Sequence, residues 1–472
     1  MQFMNVKYGR RRRLRTVFTV IAVLALVLAA AFAGWTWYDN NVDRSGWAEK
    51  GGSVYYKDFH GKYVSGWQEI DGQRYCFSSG GERLTLWQTV NGETYYFGND
   101  GVLRTSWQDI DAGRYYFGDD GRMRTLWQEI GGSTYFFGTD GRMHTGWLSH
   151  EGERYYLPEG ILQTGWMEID GSRYYFSPTG QLATGWQEID GNVYYLQSDG
   201  TPLTGRAFVD ERSYCFGENG VMHTGWMDTE YGKTYYAPDG AQAFGWAEIE
   251  GKRYHFGEDG VMQTGWYQEG EYSYYLQEDG SAAVGPQKIG YYTYYFTPKG
   301  IHVVLVNSRN AVPPYYKVNL VTVTGWHQVS DVCLDALVRM LADCNAAGIE
   351  YNFNSAHRTI EEQTMILELR TEEHMETGLD YDAARAKALQ TVAYPGTSEH
   401  HLGLAVDLLG SEAVAWFTEH CWDYGFIVRY TADKAAITGI VDEPWHFRYV
   451  GTEVSLDMKD SGLCLEEYLG AA

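Results

Sequence analysis

The chain has 472 residues, a formal net charge of -25, 16% aromatic residues and 56 glycines, so it is too long and too unusual in composition for one ordinary globular domain. The acidic balance, with basic residues clustered only at the N-terminus, excludes a nucleic-acid partner, because phosphate binding needs grouped Lys and Arg. Six cysteines (Cys76, Cys215, Cys333, Cys344, Cys421 and Cys464) form no CxxC pair and keep no regular spacing, which argues against a disulfide framework.

Residues 1–16 form a basic segment carrying Lys7, Arg10, Arg11, Arg12, Arg13 and Arg15. An uncharged apolar run over residues 17–37 follows, long enough at about 1.5 Å per residue to cross a hydrocarbon core of about 30 Å. The pattern predicts a transmembrane anchor with the basic tail in the cytoplasm and the rest of the chain outside the cell membrane. Trp35, Trp37 and Tyr38 suit an interfacial aromatic belt at its outer edge. Ala31-Phe32-Ala33 is a small-x-small site, so the competing expectation is a cleaved signal peptide and a secreted chain; both readings export the remainder.

Over residues 46–300 tryptophan recurs at a fixed period, at Trp47, Trp67, Trp87, Trp107, Trp127 and Trp147, then at Trp166, Trp186, Trp226, Trp246 and Trp266, with Arg206 and Pro286 in the same register. A well-kept unit runs from Gly185 through Leu196 to Asp199-Gly200 and reads as two short strands, with Asp190-Gly191 and Asp199-Gly200 as positive-φ turn positions. One such hairpin cannot bury its aromatic face alone. The units should therefore stack as an all-β solenoid in which most Trp and Tyr side chains are core. These units resemble the cell-wall-binding repeats of choline-binding proteins, and the related repeats of glucan-binding proteins and clostridial toxins. In choline-binding repeats a second Trp commonly precedes the Tyr pair and completes an aromatic cage for a quaternary ammonium. Here that position holds residues such as Thr94, Arg114, Arg154, Arg173, Val193 and Arg253. A wall polysaccharide or teichoic acid is therefore expected as the ligand in preference to choline.

Past Gly300 the period ends, and residues 301–472 read as a separate α+β domain. Residues 303–306 suggest a short strand, residues 331–347 a helix stopped at Gly348, and further helices are expected after Arg358, over 382–391 and over 412–424. Three motifs carry chemistry. Ser398-Glu399-His400-His401-Leu402-Gly403-Leu404-Ala405-Val406-Asp407 and Glu443-Pro444-Trp445-His446 offer two imidazoles and two carboxylates, and Ser355-Ala356-His357-Arg358 adds a cation. His400, Asp407 and His446 suit three protein ligands to one Zn2+ whose fourth position is left to water. Glu443 would then be free to take that water's proton, and Arg358 to neutralise charge developing on the attacked carbonyl oxygen. His357, His374, His401 and His420 are expected to be exposed or structural; on a strand, His401 would point away from His400. Ser-x-x-Lys, HExxH and Gly-x-Ser-x-Gly do not occur, which removes serine-type D,D-peptidases, ordinary zincins and α/β-hydrolases.

Through these motifs, with Tyr394 to Thr397, Gly425 to Tyr430 and the residues up to Gly451, the segment resembles the VanY-type D-alanyl-D-alanine carboxypeptidases, relatives of the vancomycin-resistance dipeptidases. The resemblance implies a zinc peptidase that removes the C-terminal D-Ala from peptidoglycan stem peptides. It implies the same ligands, base and cation, with Ser355, Gln363 and Ser398 shaping the substrate pocket. Ala356-His357 stands where the family usually has Gly-Tyr, so the pocket wall departs from the pattern. Two alternatives are an L,D-carboxypeptidase acting on tetrapeptide stems and a wall-binding protein with a decayed peptidase domain.

Overall fold

The computed structural model describes residues 7–472, with side chains from Thr16 onward, so the basic side chains from Lys7 to Arg15 lie outside the described residues. One continuous helix, Lys7–Asn41, opens the chain. Its segment Thr16–Asn41 spans 26 residues, about 39 Å at the helical rise, and none of its residues is buried in the protein. By length and composition it can cross a membrane.

The chain packs as two units, Met1–Leu203 and Thr204–Ala472. In the first, antiparallel hairpins follow one another from Gly46–Lys50 with Ser53–Lys57 to Gly185–Ile189 with Asn192–Leu196. In the last of these Trp186 pairs with Tyr195 and Gln187 with Tyr194. Asp190 and Gly191 take φ of 52° and 74°, the two left-handed residues of a type I′ turn, whose twist matches that of the strands. In the second turn only Gly200 is left-handed; Asp199 instead accepts hydrogen bonds from the Thr201 amide and hydroxyl.

The hairpins share their cores. Trp87 packs against Tyr96 of its own hairpin and against Tyr115 and Phe117 of the next, at 4.9–5.8 Å. The Leu103 amide donates to Arg74 O, and the Met123 amide to Thr94 O, so each connecting segment sews an earlier hairpin to a later one. Phe97, Phe117, Phe137, Leu157, Phe176 and Leu196, the ends of successive second strands, are wholly buried, while the tryptophans stay half-exposed. Arg74, Arg114, Arg154 and Arg173 lay their guanidinium groups over Trp67, Trp107, Trp147 and Trp166 at 3.8–5.1 Å, within cation–π range.

In the second unit the hairpins run from Gly205–Val209 with Arg212–Phe216 to Gly285–Ile289 with Tyr292–Phe296, and Arg253 covers Trp246 at 4.4 Å. The strand expected over 303–306 is only two residues long, His302–Val303, and is added to the edge of the last hairpin. The final hairpins continue into the C-terminal segment through one apolar cluster: Tyr274, Ile301, Val303 and Leu305 pack with Ile427, Val454, Leu465 and Leu469. Tyr449 Oη donates to Glu271 at 2.6 Å, and the Glu453 amide donates to Tyr272 Oη at 3.2 Å.

The α+β part is built on a four-stranded antiparallel sheet in the order Asn352–Ser355, Ala405–Leu409, Glu443–Tyr449, Phe426–Tyr430. One face, through Val406, Leu408 and Phe447, packs on the helices Asp331–Ala346 and Ser411–His420, which contribute Cys333, Leu337, Met340 and Phe417. Cys333 and Cys344 are both buried in the first of these helices, and all six cysteines are free. Because side chains alternate along a strand, Ala405, Asp407, His446 and Arg448 face the other way.

Candidate metal centre

The sheet register assembles the site. Asp407 pairs with Ser355 on one neighbouring strand and with His446 on the other, so residues distant in sequence lie in one row. Glu443 begins the strand Glu443–Tyr449, three positions before His446, and pairs with Tyr430. His400 comes from outside the sheet, on the short turn of 3-10 helix Glu399–Leu402. The turn is capped by Ser398, whose Oγ accepts from the His400 amide, and it ends at Gly403 in the left-handed conformation. A Cβ at Gly403 would stand 2.9 Å from the Ser330 amide nitrogen, so the close approach as well as the φ requires glycine.

His401 is therefore not on a strand, as alternation had suggested, but on this turn. It is nonetheless structural: its Nδ1 lies 2.7 Å from Arg358 O, and Nε2 accepts from the Gly396 amide.

His400, Asp407 and His446 are all buried, with one donor atom from each within 4.8 Å of the others. His400 Nε2 is 3.2 Å from Asp407 Oδ2, and His446 Nδ1 is 2.9 Å from Asp407 Oδ1. Burial pushes the His400 imidazole down to about 4, so at neutral pH it keeps a lone pair. Its Nδ1 lies 2.6 Å from Ala356 O, which takes the ring proton there and leaves Nε2 free to ligate. For His446 burial acts downward, but the hydrogen bonds to Asp407 and Glu399 win and raise it to about 9. A metal bound at its Nδ1 would displace a proton. Asp407, which burial alone would raise, is held well below the usual carboxylate range by these two imidazoles. Two neutral-capable imidazoles and an anionic carboxylate suit a divalent cation such as zinc.

Glu443 is 8% exposed, and burial pushes its carboxyl up to about 7, with His446 and Arg358 opposing and Asp407 reinforcing the rise. Arg358 reaches into the same space: Nη2 donates to Asp407 Oδ2, Nε to Ser355 Oγ at 2.6 Å and Nη1 to Gln363 Oε1 at 3.3 Å. Gln363 is in turn held by Ala393 O, on the helix Ile360–Glu376 that opens with a capping box between Thr359 and Glu362. Ser355 and Gln363 thus act first on Arg358, orienting its guanidinium. All eight residues singled out in the sequence line one open cleft of about 510 Å³.

His357, at the position that departs from the family pattern, lines the cleft, as do Tyr430, Arg370 and the exposed Trp326 and Trp445. Motif spacing passed over Glu399, Arg429 and Arg448. Glu399 is wholly buried, and despite that burial Arg429 and Arg448 hold it far below its ordinary range. Only its place inside the Ser-x-His motif could have drawn notice to it.

A family model for D-alanyl-D-alanine carboxypeptidases matches residues 326–452. Models for choline-binding repeats match residues 124–160, 163–201 and 243–284, and a model for cell wall binding repeats matches 87–103 and 105–123. A D-alanyl-D-alanine carboxypeptidase of Enterococcus faecalis is 39% identical over 175 residues, which cover 35% of this chain and 65% of that protein. A bifunctional D-Ala-D-Ala dipeptidase and D-Ala-D-Ala carboxypeptidase of Enterococcus gallinarum is 38% identical over 140 residues, covering 26% of this chain and 69% of that protein. The chain spans 65%, 50% and 40% of the first three curated relatives it matches. Among solved structures, the vancomycin-resistance D,D-pentapeptidase of a VanB-type cassette, in complex with Zn(II), is 39% identical and covers 35% of this chain and 97% of that one, with a TM-score of 0.35.

Proposed function

We propose that this chain, which belongs through residues 326–452 to the D-alanyl-D-alanine carboxypeptidase family, is a zinc-dependent carboxypeptidase that removes the C-terminal D-Ala from peptidoglycan stem peptides. The observation that carries this reading is the convergence of His400, Asp407 and His446 on one point beside a buried Glu443 and the Arg358 cation. Those three side chains would hold zinc, which supplies Lewis acidity to a water and to the scissile carbonyl.

The chain's own residues do the rest. Glu443, poised near neutrality, takes a proton from the attacking water and delivers it to the amino group of the departing D-alanine. Arg358, aimed by Ser355 and Gln363, donates to the carbonyl oxygen as negative charge develops on it. Residues 46–300 hold the catalytic residues 301–472 at the cell wall by binding a wall polysaccharide or teichoic acid, and the segment 17–37 anchors the chain to the membrane, with signal cleavage as the other route to the same side.

The test is metal content measured beside D-Ala release for two variants and the wild type. His446→Ala is expected to lose both, since two ligands hold a catalytic ion poorly. Glu443→Gln keeps zinc while turnover falls by about 10² or more. A Glu443→Gln protein with wild-type turnover would remove the base and this mechanism. Pentapeptide and tetrapeptide muropeptides offered in parallel distinguish D,D- from L,D-specificity: release of D-Ala from the tetrapeptide alone would replace the first by the second.

A further inference from the structure

We propose that Glu399 is a positioning residue of the metal centre: its carboxylate accepts the Nε2 proton of His446 and so leaves Nδ1 as the nitrogen turned toward the ligand site. The inference rests on the zinc reading above and adds to it a residue outside the ligand set.

Glu399 divides its two oxygens. Oε1 faces cations, with Arg429 Nε and Arg448 Nη1 each at 2.9 Å. Oε2 turns away from them to His446 Nε2, at 3.4 Å. The other nitrogen of that ring lies 2.9 Å from Asp407. A carboxylate can only accept, and a neutral imidazole has one N–H; with Glu399 taking it at Nε2, Nδ1 is left as the lone-pair donor. His400 shows the complementary arrangement, where Ala356 O occupies Nδ1 and Nε2 faces Asp407. The two imidazoles thus present opposite nitrogens to one point, each ordered by its own acceptor.

Glu399 is itself fixed. Arg429 closes a two-pronged pair with Glu466 at 2.9 and 2.6 Å, and Glu466 also accepts from Asn307 Nδ2 at 3.0 Å. Arg448 donates to Val304 O at 2.8 Å and to Tyr449 O at 3.0 Å. The charged groups of Glu399, Arg429, Arg448 and Glu466 are at most 1% exposed, so two anions and two cations balance out of reach of water. Such a cluster is costly to desolvate, and cohesion alone would be met by Arg429 and Glu466 without aiming an oxygen at a ligand. Acceptors behind metal-ligating histidines commonly govern affinity by about 10- to 100-fold.

The experiment measures zinc affinity of the purified full chain by competition with a chromophoric chelator, alongside thermal unfolding of the metal-free protein. Glu399→Gln is expected to weaken zinc about 10- to 100-fold. Glu399→Asp keeps the charge beside both guanidiniums, and so keeps the fold, but withdraws the acceptor by one methylene; it should weaken zinc at least about tenfold. Glu466→Gln disturbs the same cluster without touching His446, and its affinity should stay within about twofold of wild type. A folded Glu399→Asp protein with wild-type affinity overturns the proposal, as does a Glu466→Gln protein that loses as much as the Glu399 variants. A wild-type chain that takes up no zinc would instead remove the underlying reading.

Discussion

Glu443 shows what one buried carboxyl does to both chemistry and stability. Its ordinary value of 4.5 is raised to about 7 mainly by desolvation. Between those values the folded state holds a proton that the unfolded chain has released, so the metal-free protein loses stability as pH rises through the window, by about 3 kcal/mol in all. Glu443→Gln removes that cost. The metal-free variant should therefore unfold at a higher temperature than wild type at pH 8 and show no such gain at pH 4. An equal difference at the two pH values would mean that the carboxylate is not destabilised by burial. Stability is thus given up at the position proposed for the base.

At the level of elements, register and stacking decide function. A one-residue slip of the strand Glu443–Tyr449 would turn His446 and Arg448 to the face that carries Phe447 and empty the site, which is why the apolar packing of Val406, Leu408 and Phe447 protects the metal centre. In the hairpins, the residue before the Tyr pair decides what a tryptophan can still bind. Where it is Arg74, Arg114, Arg154, Arg173 or Arg253, a guanidinium already lies on the ring, and a second cation would be repelled from it. Purified cell walls should retain residues 46–300, and millimolar choline should not release them. Release by choline would show that the hairpins lacking this arginine suffice for a choline-dependent attachment.

For the whole molecule, the packing of Tyr274, Ile301 and Val303 against Val454, Leu465 and Leu469 ties the last hairpins to the C-terminal helices, and Tyr449 reaches Glu271 across the same junction. Cutting at residue 301 exposes that apolar surface. A fragment of residues 301–472 should unfold at a lower temperature than one of residues 245–472, by several degrees, since each lost apolar contact there leaves a surface with no partner. Equal melting temperatures would show that the junction adds no stability. At the other end, the apolar side chains of the helix segment Thr16–Asn41 have no protein cover, so the full-length chain should remain with membranes after a high-salt wash. Recovery in the medium of a form beginning at Gly34 would establish cleavage instead.

The features readable in the sequence were those written locally: the apolar span, the tryptophan period, the Asp-Gly turns and the helix around Cys333 each depend on residue types at fixed short spacings. The ligand and base candidates were legible for a related reason, since His400 with Asp407, and Glu443 with His446, occur as pairs within single motifs. The short turn that presents His400 was not, because left-handed Gly403 and the crowding at Ser330 arise only once the chain has folded back. Nor was the hold of Ser355 and Gln363 on Arg358, or the chain of charges from His446 through Glu399 and Arg429 to Glu466. Ser355, Arg358 and Gln363 are close in sequence, but which way their side chains turn is set by the fold, and the groups of the charge chain are separated by tens of residues and meet only in the tertiary structure. Single charged residues read as solvated until tertiary structure removes the water and supplies the opposite charge.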